Sequence, residues 1–278
     1  MKDIVVGVIG LGYVGKACLS FFSKKYNCFS YDINNSGTEN SISSLVKKVD
    51  IIFICVPTPM KQNGKCDISV VKNVLKQINQ LNIKLSCVIK STIPPGTTKT
   101  FNSNFNNLEI IFNPEFLTEA NFIKDFENQD RIIIGDNNQR GILNDLYEQS
   151  FPKAKIINCT FEEAEMIKYF TNTFLATKVS FANEMYELCD KLNINYNNVS
   201  KLAMLDKRLG HSHFSVPGPD GLKGFGGSCL PKDINAILSI FRQNGLSSYI
   251  LQSAWERNIL IDRKEQDWKK LKGRAVTS

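Results

Sequence analysis

Near the end of the chain, Gly224-Phe225-Gly226-Gly227-Ser228-Cys229-Leu230-Pro231-Lys232-Asp233 places a thiol, an ammonium and a carboxylate within about one helical turn of each other. The glycines let the backbone turn tightly and let a ligand approach it. Pro231 suits the first turn of a helix. A thiol beside a cation and near a helix N-terminus gives up its proton readily, and the thiolate is the reactive form. These residue types describe a covalent nucleophile, Cys229, with an ionisable pair next to it. The alternative is a free cysteine acting as a small core hydrophobe. The glycines on one side and Pro-Lys-Asp on the other argue against it.

A second constellation opens the chain. An apolar run at 4–9 leads directly into Gly10-Leu11-Gly12-Tyr13-Val14-Gly15, and a helical pattern follows over 16–25. A second run, 28–31, ends in Asp32, about twenty residues on, where a ribose-binding acid is expected. In this pattern Gly10 permits the tight turn, Gly12 admits a pyrophosphate to the backbone, and Gly15 lets helix and strand pack closely. The helix N-terminus faces the anion. Asp32 would bind a ribose 2′-hydroxyl and repel a 2′-phosphate, which favours NAD over NADP. Chance glycines in a strand–helix turn are the bland alternative.

The elements that position these groups alternate. Strands are expected at 49–56, 86–91, 109–112 and 131–135, with helices over 68–81 and 97–105. Repeated βα units mean a doubly wound parallel sheet, whose ligands lie beyond the carboxyl ends of the strands. Thr58, Thr92, Glu115 and Glu119 each fall just after an expected strand, so they are placed to meet the cofactor, although a polar residue there is often only a cap or turn former. Thr160-Phe161-Glu162-Glu163 is a capping box opening a helix to about 192. Lys168 and Asn172 share a face of it, and Asn183 extends the stripe; a solvated face is the simpler reading of such residues. A shorter helix at 199–205, a Gly/Pro-rich loop at 214–227 and closing helices at 234–244 and 247–271 complete the chain. The loop is long enough to be functional.

With 278 residues the chain is expected to hold two domains, 1–158 and 159–278. It is 42% hydrophobic and 22% charged, ordinary for a globular protein. No apolar run approaches the ~18 residues of a membrane helix. A strand begins within a few residues of the N-terminus, so no signal peptide and a cytoplasmic location are expected. Net charge is +7, and the basic cluster at Lys269, Lys270, Lys272 and Arg274 reads as a solvated helix end rather than a nucleic-acid surface. The eight cysteines have no C-x-x-C spacing and only two histidines accompany them, so no metal site is expected.

Taken together, Gly10-Leu11-Gly12-Tyr13-Val14-Gly15, Cys55-Val56-Pro57-Thr58-Pro59, Ser91-Thr92-Ile93-Pro94-Pro95-Gly96, Asn113-Pro114-Glu115-Phe116-Leu117-Thr118-Glu119, the Lys168/Asn172 helix and the cysteine turn resemble the UDP-glucose/GDP-mannose dehydrogenase family, in the family's order and over nearly the whole chain. The resemblance implies a Rossmann-like domain followed by an all-α central dimerisation domain with a long helix. It implies oxidation of a nucleotide sugar's primary alcohol to a carboxylate with two NAD⁺, through a thiohemiacetal and a thioester on Cys229. UDP-glucose is the first expectation; GDP-mannose, a UDP-N-acetylhexosamine, or a non-catalytic NAD or nucleotide-sugar binding protein are the alternatives. By resemblance Lys168 steadies the oxyanion, Asp233 positions water and Lys168, Thr92 holds a water in the proton path, Glu115 is the base for thioester hydrolysis, and Asn172 bonds near the reacting carbon. Cofactor contacts are implied at Gly10, Gly12, Tyr13, Val14, Gly15, Asp32, Pro57, Thr58, Thr92, Glu119 and Lys232. Substrate contacts are implied at Glu115, Phe116, Leu117, Glu119, Lys168, Asn172, Phe225 and Gly226. Arg208 matches an arginine that reaches a neighbouring subunit's site, which implies a homodimer. Members usually carry a further C-terminal domain closing over the nucleotide, and this sequence ends at Ser278, short of it. Lys223, in the 216–223 loop, is the residue expected to meet phosphate in its place.

Overall fold

Short runs of Val, Ile and Phe, apolar on both faces, build the sheet in the computed structural model, which describes residues 4–137 and 139–277. The strands are β1 (Val6–Ile9), β2 (Cys28–Tyr31), β3 (Ile51–Ile54), β4 (Leu85–Ile89), β5 (Leu108–Phe112), β6 (Arg131–Gly135) and β7 (Lys155–Cys159), in the order β2-β1-β3-β4-β5-β6-β7. Alternate residues serve opposite faces. Ile52, Ile54, Cys87, Ile89, Ile110 and Phe112 pack with α2 (Ile42–Val46), α3 (Ser69–Asn79) and α4 (Thr97–Asn104). Ile51, Phe53, Val88 and Ile111 pack with α1 (Tyr13–Phe22), α5 (Phe122–Glu127) and α6 (Ile142–Ser150). Helices on both faces explain why these strands read as continuous apolar runs.

The sheet is mixed rather than wholly parallel. β5 and β6 meet antiparallel through one pair, Phe112↔Gly135, and β7 then runs parallel to β6. A Cβ at 135 would lie 2.7 Å from the Ala164 Cβ and 3.3 Å from the Phe112 carbonyl oxygen, so only glycine admits this junction. β7 and the short helices α2, α5 and α6 were not foreseen from the sequence.

Parallel register places the chemistry. The residue that follows each central strand donates its amide to the last residue of the neighbouring strand: Gly10 to Tyr31, Cys55 to Ile9, Lys90 to Ile54 and Asn113 to Ile89, at 2.8–3.0 Å. The turns after β1, β3, β4 and β5 therefore start from one row at the carboxyl edge.

Compactness divides the chain into Met1–Thr58 with Ile68–Lys168, and Pro59–Asp67 with Tyr169–Ser278. This differs from a single cut at 158/159 in two places. The start of α7 (Phe161–Lys191) packs Ala164 and Ile167 onto the core of the first unit, and Met60 exchanges backbone bonds with Ala275 and Thr277 in the second. The second unit is helical: the rest of α7, α8 (Tyr196–Ala203), α9 (Leu230–Gln243) and α10 (Tyr249–Arg257). The closing helix expected over 247–271 is broken into α10, a π-helical turn (Asn258–Asp262) and a 3₁₀ turn (Asp267–Lys270). π-turns accompany functional sites, and this one aims Asn258 and Arg263 at the cysteine loop, as described below. Among the described residues no helix is long and apolar enough to cross a membrane.

Candidate active site

In the first unit, the turn after β1 is shaped for a pyrophosphate. Gly10 has φ +89°, and a Cβ there would sit 2.9 Å from the Cys55 backbone. A Cβ on Gly15 would lie 1.8 Å from the Gly10 carbonyl oxygen, while one on Gly12 would meet nothing within 4 Å. The crowded glycines make the turn and the open one leaves room over it. α1 carries neither a side-chain cap nor an acid in its first turn, so no side-chain charge of that turn competes with an anion for the helix dipole. Asp32 accepts from the amides of Leu11 (2.7 Å) and Asn34 (2.9 Å), which fixes the carboxylate at the end of β2 with lone pairs left for ribose hydroxyls. The residues present fit a dinucleotide. Tyr13 is exposed and tilts on Phe122, and Val14 packs on the core beneath the turn.

Along the same edge lie Pro57, exposed, and Thr58 and Thr92, both buried. Ser91 donates to the Val56 carbonyl (2.6 Å) and ties the two turns together. The Ser91-to-Gly96 turn is held from α7: Glu165, fully buried, accepts from the amides of Gly96 (2.6 Å) and Thr98 (2.8 Å) and from the Thr98 hydroxyl. Burial pushes its carboxyl up to about 7 against the pull of these donors. One turn along α7, Lys168 donates to the Glu115 carbonyl (2.6 Å) and carboxylate (3.0 Å), and its ammonium lies over the Phe116 ring. Burial would raise the Glu115 carboxyl, but the Lys168 ammonium, the Leu117 amide and Lys90 reverse this and hold it below the usual carboxylate range. Leu117 closes the turn through that amide, at 2.8 Å from Glu115 Oε2. Glu119 lies on the exposed stretch beyond.

The second unit presents the cysteine. Cys229 is the N-cap residue of α9, with Pro231 in the first turn. Lys232 and Asp233 form a buried ion pair at 2.5 Å, and Asn172 donates to the other Asp233 oxygen at 2.6 Å. Burial would lower the Lys232 ammonium, but Asp233, Cys229 and Cys66 raise it instead, so it stays a cation beside the thiol. The loop before Cys229 is held by remote side chains. Asn183 accepts from the Gly224 amide (3.2 Å). Asn258 accepts from the Phe225 amide (2.8 Å) and donates to its carbonyl (2.9 Å). A Cβ on Gly226 would meet the Arg263 guanidinium at 2.3 Å, and Arg263 is anchored to Asp220 and Asp267, each at 2.6 Å.

The polar stripe on α7 is not a solvated face: Lys168, Asn172 and Asn183 are all buried and all engaged. The Phe225 ring packs in the core of the second unit near Trp255, so its role in the loop is as an anchor. Lys223 lies over the Tyr186 ring, and Arg208 is exposed and paired with Asp206 at 2.9 Å. Asn258, Arg263, Glu165, Lys90 and Asn113 were not singled out from the sequence as site residues. Asn113 stands in a quoted motif, but the others have no local signature, because their partners lie far away in the chain.

The NAD-binding domain model of the UDP-glucose/GDP-mannose dehydrogenase family matches residues 31–151, and the central-domain model matches 162–259. The UDP-glucose 6-dehydrogenase of Rickettsia bellii is 40% identical over 222 residues, 77% of this chain and 50% of its own. That of Campylobacter jejuni is 33% identical over 275 residues, 87% of this chain and 68% of its own. A solved UDP-glucose dehydrogenase from Pyrobaculum islandicum superimposes with TM-score 0.84 at 29% identity, over 92% of this chain and 68% of its own. The chain spans about half the length of several curated relatives it matches. The glycine turn at 10–15 precedes the residues matched by the NAD-binding model, so its assignment rests on its geometry.

Proposed function

The chain belongs to the UDP-glucose/GDP-mannose dehydrogenase family, and from that premise we propose that it oxidises the C6 alcohol of a nucleotide sugar to a carboxylate, with UDP-glucose as the first candidate. NAD, held by the Gly10–Gly15 turn and Asp32, would supply the hydride acceptor for each of the two oxidations. Cys229 adds to the aldehyde carbon, so no free aldehyde is released, and after the second oxidation it holds the acyl group as a thioester. The Lys168 ammonium stabilises the negative charge that develops on the substrate oxygen. Glu115 takes a proton from the water that hydrolyses the thioester, returning the thiol and the carboxylate product. Asn172 and Asp233 fix the polar surroundings of the thiol, and Thr92 holds a water on the proton path. Asp32 takes the ribose hydroxyls of the cofactor.

The observation that supports this best is at Cys229: an N-cap thiol on a pinned glycine loop, beside a cation whose counter-ion, Asp233, is already bonded to Asn172. The test is NADH formation with UDP-glucose, GDP-mannose and UDP-N-acetylhexosamines offered in parallel, to the parent and to Cys229→Ser. Turnover with one sugar, lost in the variant, is expected. No NADH from any of them, with NAD binding intact, would leave a nucleotide-sugar binding protein instead.

The partner is a second copy of the chain. Phe170, Phe174, Phe181 and Leu188 are all at least half exposed and recur on one face of α7, an apolar stripe that suits a self-association surface. Arg208, exposed, is proposed to reach the neighbouring copy's site, and Lys223 to meet substrate phosphate. Phe174→Asp with Phe181→Asp should convert a dimer to a monomer in sedimentation; an unchanged mass would refute the surface. The proposed location is the cytoplasm.

A further inference from the structure

Lys90 is a buried ammonium that the proposed chemistry leaves unused. It follows β4 directly and is almost wholly inaccessible, at 2% exposure. Burying an isolated lysine charge is costly, and such groups either find compensation or neutralise. Its hydrogen-bonding partner is uncharged: Nζ donates to Asn113 Oδ1 at 2.6 Å. That oxygen also accepts from the Tyr147 hydroxyl at 2.5 Å, and the Asn113 amide group donates to the Ile133 carbonyl at 2.6 Å. Asn113 is thereby fixed in orientation, with its oxygen toward the ammonium. Nζ lies over the Phe126 ring, 5.7 Å from its centroid. Among the described residues no carboxylate comes within ion-pair distance of Lys90.

Titratable groups act on it from several surrounding elements. Cys18 comes from α1, Cys55 from the turn after β3, Glu115 from the turn after β5, Lys168 from α7 and Tyr147 from α6. Glu115 is the one carboxylate of the set, two residues beyond the asparagine that holds Lys90, and it is in direct contact with Lys168. One buried carboxylate thus answers two buried ammoniums.

We propose that Lys90 is a positioning residue whose fixed charge, seated on Asn113, keeps Glu115 a carboxylate when Lys168 is drawn to the oxygen of the reacting substrate. A lone Lys168–Glu115 pair would lose its balance at that moment, because the carboxylate would be left buried without its cation. A second cation that cannot move, on the adjacent strand end, removes that conflict. Burial lowers the Lys90 ammonium, and the neighbouring thiols and Glu115 work in the opposite sense, as the arrangement requires.

The proposal rests on the reading of Glu115 as the base, and the test separates the two. The pH profile of kcat/KM for nucleotide-sugar oxidation is measured for the parent, Lys90→Arg, Lys90→Gln and Lys90→Met. Removing an opposite charge near a carboxylate raises its pKa. The acid limb should therefore move to higher pH by about half a unit or more in the Gln and Met variants, and stay in place in the Arg variant. Lys90→Gln keeps a donor for Asn113, so it separates charge from packing. A slower enzyme with an unmoved acid limb in both neutral variants would overturn the proposal. If the parent oxidises no sugar, the functional reading fails, and the charge pairing is read from thermal unfolding instead. Glu115→Gln strands two ammoniums, so adding Lys90→Gln should recover part of its loss in midpoint. Simple addition of the two losses would contradict the pairing.

Discussion

The two halves of the proposed chemistry are positioned by different means. In the first unit Asp32, Thr92 and Glu115 stand at strand ends, where parallel register sets the backbone before any side chain acts. In the second unit Cys229 follows a loop without regular structure, and side chains from distant helices and turns hold that loop: Asn183, Asn258 and Arg263. A sheet edge supplies precision through its ladder, so its site residues can be changed without disturbing the frame. A glycine loop has no ladder, and its buried amides must be satisfied one at a time. The second half should therefore be sensitive to residues that never touch substrate.

The largest expected effect tests the exception in the first half. Lys168→Met removes the cation in contact with Glu115 and leaves Lys90 as its remaining charge partner, and breaking such a buried pair costs up to about 3–5 kcal/mol. Denaturant unfolding would measure it; a loss under about 1 kcal/mol would show that the pair behaves like an exposed one.

Glu165→Gln sharpens the same half through pH. A carboxyl raised in the folded state contributes stability that is present below the ordinary carboxylate range and lost as pH rises through its folded value, here about 7. Between pH 5 and 7 the parent should lose up to about 1.4 kcal/mol per pH unit from this group, and the Gln variant should lack that slope. Parallel curves would mean the three donors already keep Glu165 ionised.

Asn258→Ala is the decisive change in the second half. It strips partners from the amide and the carbonyl of buried Phe225, at about 1–3 kcal/mol for each group. kcat should fall at least about tenfold, since a displacement of about 1 Å in a reacting group costs up to 10²-fold. NAD affinity should stay at the parent value. A loss of NAD affinity equal to the loss of kcat would break the distinction between the two regions.

The smallest change in stability is expected from Gly12→Ala. Its Cβ would meet open space, so unfolding should shift by less than about 1 kcal/mol while NAD binding weakens at least tenfold. Unchanged NAD affinity would remove the pyrophosphate from this turn.

The contrast also explains what was legible in the sequence. Val6–Ile9, Gly10, Gly12, Gly15 and Asp32 announce themselves, because a strand, a turn and a helix meet at fixed spacing within one short segment. The capping box at Thr160 and Glu163 was equally local and forms as expected, with Thr160 N–H donating to Glu163 at 2.9 Å. Lys168, Asn172 and Asn183 could be placed on one helix face, but their burial could not be read, since each is paired with a residue 41 to 61 positions away in the chain. In the sequence the π-turn at Asn258–Asp262 reads as uninterrupted helix, because its purpose lies in Phe225 and Gly226, 33 or more residues upstream. The reversal at β6 was invisible for the same reason: it hangs on Gly135 meeting Phe112 and Ala164.

In the proposed chemistry Cys229 holds one substrate through two oxidations. The most direct test is the number of NADH molecules formed per nucleotide sugar consumed, measured together with the intact mass of the protein during turnover. Two NADH per sugar, with a transient acyl adduct that maps to Cys229, is the predicted result. One NADH per sugar with release of free aldehyde, or full turnover by Cys229→Ala, would contradict it.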